Sequence, residues 1–326
     1  MRRAREEAAQ GPVARARSAV TDRPTVTLIG ELFPADPIGV GALLAPMGLA
    51  VGPTTPCREW RELYAALDCA VAAAVHPFYV ASTREMRAAG RPVVASGPVG
   101  VDGTAAWLEA VGRAAGVSAE ASKARMLPAI RAALEANPLR ARVTVSGYEG
   151  SELLVARLLS EAGAEVPYVG TACPRTEWSD PDREWLEARG CHVQFRASLE
   201  QDLAAVRGAR PDLAIGTTPV VQKAKEDGTP ALYFTNLISA RPLFGPAGAG
   251  GFAQTVAKAV GGRERLGRMR AFFAGVGTGD SAGYGHEGVP RPRPRAAERN
   301  AAARGGTAVT GAGKRRGVGS TGEEVG

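Results

Sequence analysis

The chain has 326 residues, of which 45% are hydrophobic and 22% charged, with a formal net charge of +7; that length suits about two domains of ordinary size. The positive excess lies at the two ends, because residues 24–290 carry 26 basic and 27 acidic side chains, which argues against a nucleic-acid surface and makes the ends read as solvated tails. Four cysteines without a Cys-x-x-Cys pair exclude a zinc ribbon, and a charged first decade with no apolar run after it predicts a cytoplasmic protein with reduced thiols.

After the basic segment 1–23, Thr25–Gly30 is a β-branched run closed by glycine, the pattern of a buried parallel strand. Pro37 to Cys57 has no charge and is long enough to cross a bilayer, but Pro46, Pro53, Pro56 and four glycines interrupt it. It reads as a helix (38–47), a turn and a strand (49–51), and no membrane span is expected. A helix over 60–67 precedes the apolar strand 69–75, and a helix over 82–89 precedes the strand 91–95. Helices over 104–115 and 119–136 complete a first α/β unit, residues 24–140; Pro128 is a point where the second helix would kink.

The second unit, residues 141–280, alternates more cleanly. Strands are expected at 142–146, 166–169, 191–195, 212–215 and 231–235, with helices at 151–162, 180–189, 199–206 and 219–226. Two helices, 252–260 and 263–273, follow. The fold class expected is therefore α/β: two Rossmann-like units, each a parallel sheet flanked by helices. Residues 281–326 are Gly-, Ala-, Arg- and Pro-rich and are expected to be a disordered tail.

Parallel α/β sheets bind ligands at the carboxyl ends of their strands, so the loops there hold the candidates. His76 follows an apolar strand beside Phe78 and Tyr79, and reads either as a ligand-facing imidazole or as a packed loop residue. Gly147-Tyr148-Glu149-Gly150-Ser151-Glu152 lies between a strand and a helix without the dinucleotide or P-loop fingerprint. Its backbone would hold an anion, or Ser151 or Glu149 would simply cap the helix. Cys173 beside Arg175 is a thiolate, a cluster ligand or a small packed residue. Thr217 binds a ligand or caps the helix after it. The segment 235–250, with Asn236 and Arg241, reads as a long apolar loop that covers a flat ligand or docks on another subunit. By spacing alone, no catalytic residue or metal ligand can be assigned.

Several of these segments carry a resemblance. VSGYEGSELLVARLL (145–159), YVGTACPRT (168–176), AIGTTPVVQKAK (214–225) and ALYFTNLISARPL (231–243) closely resemble the Y-subunit family of chlorophyllide a reductase. So do GELFPADP (30–37), REWRELYAAL (58–67) and DGTAAWLE (102–109), and the likeness runs from about Asp22 to about Gly283.

The resemblance implies a nitrogenase-like fold and an oxidoreductase acting on a CH–CH group. The implied reaction is reduction of the C7=C8 double bond of chlorophyllide a in bacteriochlorophyll synthesis. It further implies a heterotetramer with a Z subunit, a [4Fe-4S] cluster in the complex, and an ATP-hydrolysing iron–sulfur X protein as electron donor. Members of the family begin with a cysteine-bearing domain that has no counterpart here. The expectation is thus a truncated subunit, inactive alone, with the substrate beside His76, Tyr148, Cys173, Arg175, Thr217, Asn236 and Arg241. The rival readings are a non-catalytic assembly remnant that binds the Z subunit, and an unrelated nucleotide-sugar-type two-domain enzyme.

Overall fold

The computed structural model describes residues 2–9, 22–30, 36–60, 62–76 and 79–272. The fold lies in one compact unit, Met1–Arg268; a second unit begins at Met269, and the tail expected over 281–326 lies outside the described residues, as does most of the basic segment 1–23. Of that segment, residues 2–9 are helical rather than a solvated tail: in α1 (Arg2–Ala9), Ala4 is buried and Arg5 Nε pairs with Glu85 at 3.1 Å.

The first sheet has four parallel strands, β1 (Thr25–Ile29), β2 (Ala50–Thr55), β3 (Val71–Ala74) and β4 (Val93–Ala95), in the order β2-β1-β3-β4. The uncharged stretch folds as expected, into α2 (Pro37–Leu44), a 3-10 turn (Ala45–Met47) and β2. Pro37 stands where a helix needs no N–H, and Asp36 accepts the Gly39 N–H at 3.0 Å. β2 is longer than the expected 49–51. It runs through Pro53 because it is an edge strand with a register irregularity opposite Val26–Leu28, where a missing donor costs no ladder bond. The helices are α3 (Glu62–Leu67), α4 (Val80–Ala88), α5 (Gly100–Ala115) and α6 (Glu120–Glu135), the last continuing through Pro128.

The second sheet has five parallel strands: β5 (Arg142–Gly147), β6 (Glu165–Thr171), β7 (His192–Phe195), β8 (Leu213–Gly216) and β9 (Ala231–Tyr233). Their order, β7-β6-β5-β8-β9, is the doubly wound arrangement, with the strand order reversing between β5 and β8. The connecting helices are α7 (Glu152–Glu161), α8 (Asp180–Glu187), α9 (Leu199–Ala209) and α10 (Thr218–Glu226). After β9 the structure departs from expectation. The strand stops at Tyr233, and the supposed loop 235–250 is mostly helix, α11 (Phe234–Ser239) and the start of α12 (Gly245–Gly261); α13 (Arg263–Phe272) follows. Phe234, Leu237 and Ile238 are all buried, a spacing that places one helical face on the core. In α12 Gly250 permits close approach to α6: a Cβ there would lie 3.3 Å from Ala133 Cβ.

One apolar cluster runs through both halves, from Val26 and Leu28 to Val143, Val145, Phe234 and Phe252. Polar ties reinforce it. Arg157 on α7 pairs with Asp182 on α8, both about 5% exposed, and Ser96 after β4 donates to the same carboxylate at 2.7 Å. Glu161 accepts the N–H groups of Val101 and Asp102, placing an anion at the first turn of α5.

Candidate functional site

His76, Tyr148, Cys173, Thr217, Asn236 and Arg241 all follow the carboxyl ends of parallel strands, so each lies on the edge where such sheets bind ligands. The two edges meet. His76, 2% exposed, follows β3 beside Gly30 at the end of β1, the point where the first sheet reverses its strand order. Its ring lies against Gly150 in the loop after β5: a Cβ on Gly150 would come within 2.5 Å of His76 Cε1. Gly150 has φ +92°, so this position needs glycine twice over, for its backbone and for its neighbour. The imidazole stacks edge-on to Tyr79, ring centroids 5.5 Å apart. Of the two readings, packed and ligand-facing, its burial supports the first.

The loop 147–151 is held from below by a residue absent from the sequence candidates. Glu152, fully buried, accepts the N–H of Glu149 at 2.7 Å, the N–H of Gly150 at 2.8 Å and the hydroxyl of Thr171 at 3.0 Å. Ser151, expected as the cap, occupies the N-cap position but its hydroxyl makes no capping bond; the loop's amides go to Glu152 instead. Burial pushes the Glu152 carboxyl up to about 7, against the pull of its three donors. Glu149 accepts a hydrogen bond from Thr235 on α11. Tyr148, at the tip, is 55% exposed.

Cys173 is 2% exposed, and burial together with the nearby Glu152 raises its thiol to about 12. Its burial fits the small packed residue among the three readings. Arg175 points elsewhere, into an ion pair with Asp180 at 2.8 Å. Thr217 is the N-cap of α10, yet its side chain makes no cap bond. Asn236 is exposed on α11.

Arg241 belongs to a second feature, a cavity of about 790 Å3. Its walls come from helices and connections of both halves: Pro37, Ile38 and Leu43 of α2, Met126 of α6, Ile238 of α11, and Phe244. Helix α11 joins the two features, since its first turn touches the Glu152 loop and its last turn lines the cavity. Arg58, from the segment after β2, also lines it and was missed by the motif reading.

The cysteines do not suit an iron–sulfur cluster, which needs convergent thiolates. Cys69 and Cys191 precede β3 and β7 at the amino edge, whereas Cys57 and Cys173 follow β2 and β6 at the opposite edge. Burial raises all four thiols, those of Cys173 and Cys191 to about 12. Among the described residues no group of three or more His, Cys, Asp or Glu side chains is placed to hold a metal ion, and no helix is long and apolar enough to cross a membrane.

Two parallel sheets whose carboxyl edges meet at His76 and Gly150, with an apolar cavity lined by helices of both halves, define an α/β protein of two Rossmann-like units. The chain belongs to the nitrogenase component 1 type oxidoreductase family, whose model matches residues 3–260. It is 66% identical over 294 residues to the "Chlorophyllide reductase 52.5 kDa chain" of Cereibacter sphaeroides, covering 89% of this chain and 58% of that protein. The protein of the same name from Rhodobacter capsulatus is 65% identical over 86% of this chain and 57% of its own length. A "Light-independent protochlorophyllide reductase subunit N" from Synechococcus is 27% identical, over 72% of this chain and 58% of that subunit. The chain thus spans a little under three fifths of these relatives. The solved structure "Nitrogenase Cp1 at pH 6.5" shares the fold, with a TM-score of 0.57 and 16% identity over 78% of this chain and 63% of its own.

Proposed function

We propose that the chain is the pigment-holding part of a chlorophyllide a reductase Y-type subunit. In the complete enzyme, paired with a Z subunit as a heterotetramer, the C7=C8 bond of chlorophyllide a takes up two electrons and two protons and becomes a single bond. The electrons come from an ATP-dependent iron–sulfur X protein. The cluster next to the pigment is anchored by residues other than the cysteines here, because these sit at opposite edges of the sheets and do not converge.

The observation that carries this reading is the cavity. Its volume, about 790 Å3, falls within the roughly 300–1,000 Å3 of ligand pockets. Its wall is largely apolar, as a flat macrocycle requires, and it is lined from both halves of the fold. The high identity to chlorophyllide reductase chains supports the same substrate class. In this reading the chain's residues bind and orient the macrocycle and exclude water from one of its faces. The His76–Gly150 contact and the Glu152-locked loop keep the surrounding wall rigid.

The test is to titrate the purified chain, alone and with a Z-type subunit, with chlorophyllide a and follow quenching of pigment fluorescence. Saturable quenching is expected, weakened by Phe244→Ala and by Ile238→Asp. No saturable quenching in either preparation would refute the proposal.

A further inference from the structure

Two arginines line the apolar cavity, and they reach it from different halves of the fold. Arg58 comes from the segment after β2 and Arg241 from the segment after α11. Among the described residues, neither guanidinium makes a hydrogen bond or ion pair. That is unlike Arg87, Arg157, Arg175, Arg183 and Arg189, each of which has a carboxylate partner. The acid lining the same cavity, Asp36, is engaged by the Gly39 N–H at the start of α2. Beside them Ile38 is 88% exposed, a large apolar side chain without cover.

A space of this kind asks for an apolar body with an anionic end. The apolar wall and Ile38 gain by covering carbon, and planar guanidinium groups match the geometry of a carboxylate. We infer that Arg58 and Arg241 are specificity-determining residues that read a free carboxylate on an apolar ligand, so that the cavity takes an acid and discriminates against its ester. The inference rests on the pigment reading above and deepens it. The pigment's propionic acid side chain is the group recognised, and a pigment whose acid is esterified is the ligand turned away. A neutral ester removes the charge that a guanidinium contacts while leaving the macrocycle unchanged.

The experiment compares chlorophyllide a with its propionate methyl ester as fluorescence-quenching ligands of the full 326-residue chain, in the wild type and in R58Q, R241Q and R58Q/R241Q. The acid is expected to bind about tenfold tighter than the ester, the equivalent of about 1.4 kcal/mol for charge-assisted hydrogen bonds at a partly open site. The double variant should bind both equally, with ester affinity unchanged and an unaltered urea midpoint. R241K should retain part of the preference. Phenylglyoxal labelling read by mass spectrometry supplies an independent measure: the acid, and not the ester, should protect both arginines. Equal affinity of acid and ester in the wild type, or a preference that survives in the double variant, overturns the inference and leaves the pigment reading standing. Saturable binding of neither ligand overturns both.

Discussion

Replacing Gly150 by alanine tests whether the two sheet edges meet as described. Alanine at φ +92° carries a backbone penalty of about 1–2 kcal/mol. Its Cβ would also lie 2.5 Å from His76 Cε1, inside any normal contact, so the ring or the loop must shift, an overpacking cost of about 1–3 kcal/mol. Gly150→Ala should therefore destabilise by about 2–5 kcal/mol in urea unfolding followed by far-ultraviolet circular dichroism at constant m-value. In a His76→Ala background the steric part has no partner and only the backbone part remains, about 1–2 kcal/mol. The difference between backgrounds is the coupling between the two edges. If Gly150→Ala costs the same in both backgrounds to within about 0.5 kcal/mol, the ring does not lie over Gly150 and the shared edge is wrong.

Two other substitutions probe the buried charges. The Glu152 carboxyl is raised from 4.5 to about 7, so the folded state holds a proton that the unfolded state releases between those values. A raised acid contributes stability that is fully present below pH 4.5 and lost as the pH rises through 7, on the order of 3 kcal/mol in total. The stability of the wild type minus that of Glu152→Gln, measured by urea titration from pH 4.5 to 8, should fall by about that amount; a flat difference would contradict the burial argument. Arg157→Met leaves Asp182 buried without its guanidinium and should cost about 3–5 kcal/mol, with much of the loss recovered by adding Asp182→Asn. A cost below about 1 kcal/mol for Arg157→Met would show the pair to be solvated.

The strands were legible because buried parallel strands are short β-branched or alanine-rich runs. Thr25–Ile29, Val71–Ala74 and Arg142–Gly147 differ from their expected bounds only at the ends. Two elements were misread for local reasons. Pro53 interrupts the uncharged stretch, but an edge strand tolerates it; the glycine-rich 245–251 looked like a loop, but Gly250 lets α12 approach α6. Position relative to strand ends singled out His76 and Cys173, which are buried, and Arg175, which pairs with Asp180, while Arg241 lines the cavity. Glu152 was missed although a signal existed. The run from Glu152 to Leu159 has no polar face, which marks a helix buried all round, and a charge on such a helix needs internal partners. That rule points to Arg157 as well, whereas nothing in the sequence links Arg58 to Arg241, because their proximity is a property of the tertiary fold.

The same rule separates the two kinds of charge in this protein. Charges on buried elements are spent internally: Glu152 on two backbone amides and a hydroxyl, Arg157 on Asp182, Glu161 on the first turn of α5. Glu152 and Glu161 each hold backbone N–H groups and Arg157 ties α7 to α8, so none is available to a ligand without dismantling what it holds. Arg58 and Arg241 differ in lying on an open apolar cavity, where no described carboxylate meets them. Rigid walls built on satisfied charges, and unsatisfied charges on the space between them, are what a pre-organised site for an anionic apolar molecule requires, since ordering the wall after binding would consume the affinity the arginines supply.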